Sequence, residues 1–308
     1  MRTLSTARVL LIALCAIALA SVLPLWASGY ILGLLTIAYY FGVFAMAWDL
    51  LFGFAGEVNF GPTFLIGVGA YTAGILDNLY QPPIWLCLVA GTLAAIVGGL
   101  VLALPALRLR GPYFGLTTLV AVLILQDFIV VDAHLTGGEI GLTVPDVISI
   151  SNGINYELAL WFMALSGAIL YVLARSPVGL ILQASGQDPV QAGALGFNVT
   201  KHKLSAFVIS ALFSGLAGSL MVFYLGSASV GTFIDLTVGV QVIIAAVVGG
   251  RRTILGSVLG AIFLIAMSEA LRPLGDLSNF VVFAIALIVV LLYPNGFFGL
   301  LTRGKKDA

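Results

Sequence analysis

The sequence predicts an all-α integral membrane protein with about ten transmembrane helices. Hydrophobic residues make up 61% of the 308 residues and charged residues only 8%, whereas a soluble domain carries about 25% charge. The apolar residues form runs of roughly 20, which is the length that crosses a bilayer. The basic residues lie at the ends of these runs or between them. The net charge of zero carries no information about acidic partners or nucleic acid.

Ten apolar segments are candidate spans, and each is justified by its run of apolar residues. The third segment, GPTFLIGVGAYTAGIL, is rich in small residues and therefore favours close helix packing. The eighth is short and could be a half-helix or a re-entrant segment. The predicted spans are 8–27, 30–52, 61–80, 84–106, 113–131, 157–174, 204–226, 237–250, 254–271 and 278–293.

The distribution of basic residues predicts that both termini face the cytoplasm. With this orientation only Arg272 of the 13 basic residues lies outside, as the positive-inside rule requires, and the number of spans is even. The segment 132–156 carries three acids and no base, and we predict that it is a periplasmic loop. The inside residues are Arg2, Arg8, Arg108, Arg110, Arg175, Lys201, Lys203, Arg251, Arg252, Arg303, Lys305 and Lys306.

The N-terminal segment has a second interpretation. Arg2 and Arg8 precede a long apolar run with small residues near Ser28, a pattern that also suits a cleaved secretory signal. Cleavage would leave an odd number of spans and would spoil the charge distribution. We therefore favour an uncleaved first span.

The segment 176–203 interrupts the apolar runs, and we predict that it lies on the cytoplasmic side. It is flanked by Arg175 and Lys203 and contains six proline and glycine residues before Lys201. Asp188 followed by Pro189 is a good helix start, and Gly196 is a good stop. The segment is therefore predicted to contain short helices.

The sequence gives no indication of an enzyme. The nearest match to a nucleotide-binding loop begins at Gly299 and continues through Gly304, Lys305 and Lys306. It ends in the wrong residue and leaves no room for the following helix. His134 and His202 are isolated, and the sequence contains no metal-binding or nucleophile motif. ATP hydrolysis would have to be carried out by other chains.

Five patterns, in order along most of the chain, resemble the Liv-type permeases of branched-chain amino-acid ABC importers. The subunit type is the M-like one, and the whole of 1–308 is expected to form a single multi-pass permease domain. The patterns are FAGEVNFGPTFLIGVGAYTAG (54–74), LRLRGPYFGLTTL (107–119), LTGGEIGL (135–142), SPVGLILQASGQDPVQAGALGFNVTKHKLSAFVISALFSGLAGSL (176–220) and VVGGRRTILGSVLGA (247–261).

The resemblance implies a type II permease fold, similar to that of the vitamin B12 importer, in the bacterial inner membrane. The chain would form half of the path for branched-chain or related amino acids. The implied partners are a second related permease subunit, two cytoplasmic ATPase subunits, a periplasmic solute-binding protein and membrane lipid. No cofactor or metal is expected in this chain, since ATP and magnesium would bind the ATPase subunits.

The resemblance also implies that 176–203 is a coupling segment that docks on an ATPase. From the residues alone, an ordinary amphipathic connector explains it equally well. The family usually has arginines at the positions of Leu180 and Gly186 and a glutamate at that of Gly193, so all three charges are missing here. We expect a helix about 15 Å long with contact residues Gln187, Asp188, Pro189, Val190, Gln191, Ala192, Gly193, Ala194, Leu195 and Gly196.

Polar side chains at membrane depth are the candidates for the solute path, because each requires a partner or water there. Thr117 and Thr118 have an alternative, since a threonine can bond to the backbone of its own helix. Asp127 and Glu269 lie near the outer ends of their spans, and we favour a position in headgroup water for both. The predicted path residues are Asn59, Tyr71, Thr72, Thr117, Thr118 and Gln241.

In the external loop, Thr136, Gly137 and Gly138 form a predicted tight turn, because glycine has free access to positive φ. The resemblance implies that this turn contacts the solute-binding protein; the alternative is that it serves loop geometry alone.

Other functions remain open at this stage. Close relatives carry urea and other amides, so a urea or amide importer is an alternative substrate class. An ion-coupled secondary transporter would also have interrupted spans, but it usually has an inverted repeat and an intramembrane ion site. We find neither pattern in the sequence. A structural or assembly subunit would lack an ordered coupling helix.

Overall fold

The computed structural model describes residues 14–107, 109, 112–275, 277–293 and 296. Six helical stretches in this part are long and apolar enough to cross a membrane. The protein is therefore an all-helical integral membrane protein, as predicted. The six stretches are Gly29–Phe54, Ile84–Ala106, Tyr113–Val131, Asn152–Arg175, Val199–Leu225 and Val230–Gly249.

Eleven helices of the described part are labelled α1 to α11. Residues 14–20 are also helical, and short helical turns occupy Leu23–Leu25, Ala133–Thr136, Val230–Phe233 and Arg272–Leu274. The labelled helices are α1 (Gly29–Asp49), α2 (Pro62–Tyr80), α3 (Ile84–Ala106), α4 (Pro112–Val131), α5 (Asn152–Arg175), α6 (Pro177–Gln187), α7 (Pro189–Ala194), α8 (Val199–Leu225), α9 (Leu236–Gly249), α10 (Leu255–Ala270) and α11 (Leu277–Leu292).

The predicted spans agree closely with these helices. The third and fourth predictions match α2 and α3 to within one residue, whereas α5 and α8 begin five residues earlier than predicted. Each of these helices begins with a polar turn, which contains Asn152 in α5 and Thr200 in α8. The polar turn belongs to the helix but not to the apolar run from which the span was predicted. The first predicted span is described only from residue 14. Arg2, Arg8, Arg108, Arg110, Arg303, Lys305 and Lys306 lie outside the described residues.

Helices α1 and α8 form the centre of the molecule. About three-quarters of each apolar stretch is buried, 72% for Gly29–Phe54 and 78% for Val199–Leu225, against 28% for Tyr113–Val131. Helix α8 packs against α2 and α3, and α1 packs against α5, α9 and α10. The two groups meet where α1 contacts α8, while α4 packs against the edges of α2 and α3.

Glycine allows α2, α3 and α8 to approach one another backbone to backbone. A Cβ atom at Gly69 of α2 would overlap the carbonyl oxygen of Gly215 in α8. A Cβ atom at Gly91 of α3 would lie 2.6 Å from the carbonyl oxygen of Gly69. The Ser219 hydroxyl donates to that same oxygen at 3.0 Å. Dispersion and hydrogen bonding therefore hold these helices together, as expected where lipid supplies no hydrophobic driving force.

One strand of a small two-stranded sheet lies in the predicted external loop. Strand β1 (Leu142–Thr143) pairs antiparallel with β2 (Ser227–Ala228), so the loop is fastened to the end of α8. The side-chain amide of Asn78 donates to the carbonyl of Thr143 at 2.9 Å. The predicted loop 132–156 is shorter in the structure, because α5 already begins at Asn152.

We predict that Gly69→Ala destabilises the protein by about 1–3 kcal/mol, because the added methyl group overlaps a backbone atom that cannot rotate away. Gly98→Ala on α3 is the matched control. Its Cβ atom would meet only the ring of Phe64 and the side chain of Val68, at 3.4 Å or more. The higher helix propensity of alanine should leave that variant unchanged or more stable. The measurement is thermal unfolding in detergent, and equal effects at both positions would contradict the packing account.

Candidate functional site

The predicted coupling segment folds as two consecutive short helices, α6 and α7. Each begins at a polar cap followed by proline, which suits the first helical position. The Ser176 hydroxyl accepts from the backbone amide of Gly179 at 3.4 Å. A carboxylate oxygen of Asp188 accepts from the amides of Val190 and Gln191 at 3.0 and 2.9 Å. The predicted helix start at Asp188–Pro189 is therefore confirmed.

The helix predicted over 187–196 is shorter in the structure. Gln187 ends α6, Asp188 is extended with φ −144°, and α7 itself comprises six residues, or about 9 Å. Leu195 is its C-cap, and Gly196 follows with φ +90°, so the predicted stop lies one residue beyond the cap. The segment is a helical corner, because the extended Asp188 turns the chain between the two helices.

Helix α6 lies directly on the turn that follows α1. A Cβ atom at Gly186 would lie 2.7 Å from the carbonyl oxygen of Phe54, and one at Gly56 would lie 2.7 Å from the carbonyl oxygen of Gly186. Gly56 has φ +73°, a conformation that glycine adopts without strain. This contact explains the absence of an arginine at position 186, because any side chain there would force the two segments apart.

Two further contacts fix the segment. Ala192 of α7 is buried, and the Lys203 ammonium group at the start of α8 forms a 2.5 Å ion pair with Glu57. Both charged side chains are largely shielded from solvent. Removal of either partner would leave the other charge shielded and uncompensated. These contacts hold the segment against the rest of the chain. Its exposed residues, Val190 and Leu195, form an outward tip.

The outward tip of the segment is apolar. Val190 is 80% and Leu195 is 75% exposed, and a Cβ atom at Gly193 would meet nothing within 4 Å. The predicted apolar face of Val190, Ala194 and Leu195 is present, but none of it is buried within the chain. Exposed apolar residues on a short, anchored helix are typical of a partner interface.

A buried carboxylate at the end of α1 was missed by sequence reasoning. Asp49 is fully buried, and its two carboxylate oxygens accept from the backbone amides of Arg252 and Thr253 at 3.0 and 3.1 Å. The chain then forms a π turn over Leu50–Phe54. The positive-inside rule places Arg251 and Arg252 on the cytoplasmic side but gives no reason to pair this turn with Asp49.

Asn59 has a structural role in the connection between α1 and α2. Its side-chain oxygen accepts from the amide of Gly61 at 2.8 Å, and its carbonyl accepts from the Trp48 indole at 2.6 Å. Asn59 is buried by these contacts. A path-lining role stays a prediction for this residue.

The other predicted path residues lie on three helices. Thr117 donates to the carbonyl of Tyr113 at 2.9 Å, which is the alternative we gave for it. Thr118 donates to Gly115 and accepts from the amide of Phe60 at 3.0 Å, so it also joins α4 to the α1–α2 connection. Tyr71 on α2 is buried, and its hydroxyl has no partner among the described residues. Thr72 beside it is half-buried.

Gln241 lies in α9, which with the preceding turn forms the stretch Val230–Gly249. Its side chain is half-buried, and no hydrogen bond joins its amide to another described residue. An amide at membrane depth without a partner in its own chain needs water, a solute or another subunit. Gln241 therefore remains the best candidate for the path.

The external glycine turn is built mainly by local geometry. Thr136 is buried, donates to the carbonyl of Ile129 at 2.6 Å and accepts from the amide of Gly138 at 3.2 Å. Gly137 and Gly138 have φ +76° and +59°. The adjacent residue Ile140 is 97% exposed. A solute-binding protein would therefore contact the loop surface beside Thr136, Gly137 and Gly138. Its contact with these three residues stays a prediction.

For the acidic residues near the predicted outer span ends, a position in headgroup water stays a prediction. Glu269 accepts hydrogen bonds from Tyr30 and from Arg272, the latter at 3.3 Å. The hydrogen bond to Glu269 raises the pKa of Arg272. Asp127 is exposed on α4. Within the described residues, no three His, Cys, Asp or Glu side chains are close enough together to hold a metal ion.

Comparison with known proteins identifies the family. A family described as "Branched-chain amino acid transport system / permease component" matches residues 30–292, which is most of the chain. The chain belongs to this family. The region matched contains the coupling segment, the Asp49 turn and Gln241, so the features described above lie within the family's shared fold.

Relatives of both Liv permease types are similar to the chain. It is 26% identical to the high-affinity branched-chain amino acid transport permease LivM of Escherichia coli, over 95% of the chain and 75% of that protein. It is 26% identical to LivM of Salmonella typhimurium, over 82% of the chain and 66% of that protein. It is 24% identical to LivH of Escherichia coli, over 84% and 91%. The chain thus spans two thirds to three quarters of the LivM relatives, and it is a Liv-type permease.

Proposed function

We propose that the chain is a permease subunit of an ATP-driven ABC importer for branched-chain or related amino acids. The single observation that carries this proposal is the anchored coupling segment with its outward apolar tip, within a chain of the Liv permease family. The names of its relatives support amino acids over urea or amides. An ion-coupled transporter has no need of such a segment.

The proposed partners follow from this role. Relatives of both LivM and LivH type support a second permease subunit beside this one. Two cytoplasmic ATPase subunits would bind ATP and magnesium and would dock on α6 and α7. A periplasmic solute-binding protein would deliver the solute at the loop that carries Ile140. The location proposed is the bacterial inner membrane, with both termini in the cytoplasm, about ten spans and a type II fold.

The arrangement of the ends agrees with this orientation. Arg175, Lys203, Arg251 and Glu57 are brought to the end of the bundle that carries α6 and α7. The sheet of β1 and β2 lies at the other end of α8, and the described external segment 132–151 contains no Lys or Arg. Basic residues gathered at one end of the spans are typical of a cytoplasmic face.

We predict that Gly193→Arg separates ATP hydrolysis from solute uptake or prevents association with the ATPase. The position is open, so the arginine fits the isolated subunit and improves helix propensity. A long charged side chain would nevertheless hold the partner surface away from Val190 and Leu195. The measurements are ATPase activity and uptake in reconstituted vesicles, together with subunit stoichiometry by pull-down.

Gly193→Ala is the matched control, because a methyl group at this position meets nothing within 4 Å and has neither the length nor the charge of arginine. This variant should retain assembly and coupled uptake. If Gly193→Arg gives normal values in all three assays, α6 and α7 are a passive connector and the proposed function loses its main support.

A second prediction concerns the solute path. Gln241→Leu should leave unfolding stability within about 1 kcal/mol, because no partner within the described chain is lost. Uptake should fall about tenfold or more, since a hydrogen bond to water or solute along the path disappears. Thr92→Val is the control, because the Thr92 hydroxyl is already bonded to the carbonyl of Leu88 within its own helix, α3. Full uptake by Gln241→Leu at normal expression would remove this residue from the path.

A further inference from the structure

Asp49 joins parts of the chain that are far apart in sequence. Its carboxylate lies at the end of α1 and accepts from two consecutive backbone amides of the turn between α9 and α10. That turn is unusual, because Arg252 has φ +63°, a conformation that a non-glycine residue rarely adopts. The carboxylate therefore stabilises a turn that the local sequence does not favour.

Side chains of the α9–α10 turn in turn contact the π turn at Leu50–Phe54. The Arg252 Nε donates to the carbonyl of Gly53 at 2.7 Å, and the Arg251 guanidinium lies 4.5 Å from the centre of the Phe52 ring. The positive charges of these residues lie beside the buried carboxylate and reduce the cost of burying it. The π turn and the α9–α10 turn are therefore joined by hydrogen bonds in both directions. Such π turns within helices often mark functional positions.

The same π turn is the surface on which the coupling segment rests. Its last residue, Phe54, and the adjoining Gly56 contact Gly186 of α6 backbone to backbone. No side chain separates Gly186 of α6 from this turn, so a displacement of α6 toward the turn meets backbone atoms directly. A continuous set of contacts, by backbone at Gly186 and by side chains at Asp49 and Arg252, thus runs from α6 through the end of α1 to the turn before α10.

We propose that Asp49 is a positioning residue in transport: it makes the α9–α10 turn move together with the coupling segment, so that displacement of α6 reaches the helix that carries Gln241. This inference rests on the proposed function, because it assumes that α6 and α7 receive motion from an ATPase. It adds a specific route, carried by one carboxylate, from the docking surface to α9 and α10.

The test is Asp49→Asn in the complete importer. The amide keeps the size of the carboxylate but places an NH₂ group opposite one of the two backbone amides, so one hydrogen bond becomes a contact between two donors. We expect the importer to assemble and to hydrolyse ATP, while solute moved per ATP hydrolysed falls about tenfold or more. Hydrogen exchange of the amides of Arg252 and Thr253 should accelerate, which is a readout independent of transport.

Gly53→Ala provides a second variant that leaves Asp49 unchanged. Its Cβ atom would overlap a carboxylate oxygen of Asp49 and would lie 3.0 Å from the amide nitrogen of Arg252. It should therefore reproduce the loss of coupling. Asp77→Asn is the control, since Asp77 is also a fully buried carboxylate that accepts a backbone amide, from Asp146 at 3.1 Å, but at the external end. Its transport per ATP should stay normal.

The outcomes separate this inference from the proposed function. If Gly193→Arg uncouples and Asp49→Asn does not, the route through Asp49 is overturned and the docking surface stands. If Gly193→Arg has no effect, α6 and α7 are a passive connector, and the proposed function loses its main support together with this inference. Equal losses from Asp49→Asn and Asp77→Asn would overturn the positioning role, because the loss would then be common to buried carboxylates. Failure of both Asp49→Asn and Gly53→Ala to accumulate would also overturn it, since Asp49 would then act in folding.

Discussion

Direct contact between backbones at glycine is the constraint on which this structure depends. Lipid is as apolar as the side chains that face it, so helices in a bilayer gain little by burying leucine and must instead fit closely. Gly69 and Gly215 bring α2 against α8, and Gly186 brings α6 against the turn at Gly56. The same close contact at glycine thus builds both the helical core and the attachment of α6. A contact made by backbones has no side-chain rotamers that could absorb a displacement.

Close backbone contact also fixes the coupling segment to the rest of the chain. Helices α6 and α7 are short and would not be stable alone, but the segment is held at Gly186, Ala192 and Lys203. Its tip carries exposed Val190 and Leu195, where a partner can bury them. The glycine at position 186, where the resemblance implied an arginine, then has a structural reason, because the close contact excludes a side chain. Nothing in the structure explains the missing charge at Leu180, which is exposed.

Local features were predictable from the sequence, and distant pairings were not. The start of α7 followed from Asp188 and Pro189, because a cap and its helix are adjacent in the chain. Span positions followed from apolar runs, since bilayer thickness fixes their length. Asp49 was missed because its partners, Arg252 and Thr253, are more than 200 residues away. Asn59 was interpreted from polarity alone, whereas its bonds to Gly61 and Trp48 depend on how the chain turns.

The most direct test of the account is site-specific photo-crosslinking in membranes that contain the complete importer. A photoreactive residue replaces either Val190, at the tip of the coupling segment, or Ile140, in the external loop; both side chains are at least 80% exposed. The account predicts that position 190 crosslinks to the ATPase subunit and that position 140 does not. It also predicts that the yield at position 190 changes when ATP is added, because the docked surfaces move. Crosslinking of position 190 to lipid alone, or of position 140 to the ATPase, would contradict the account.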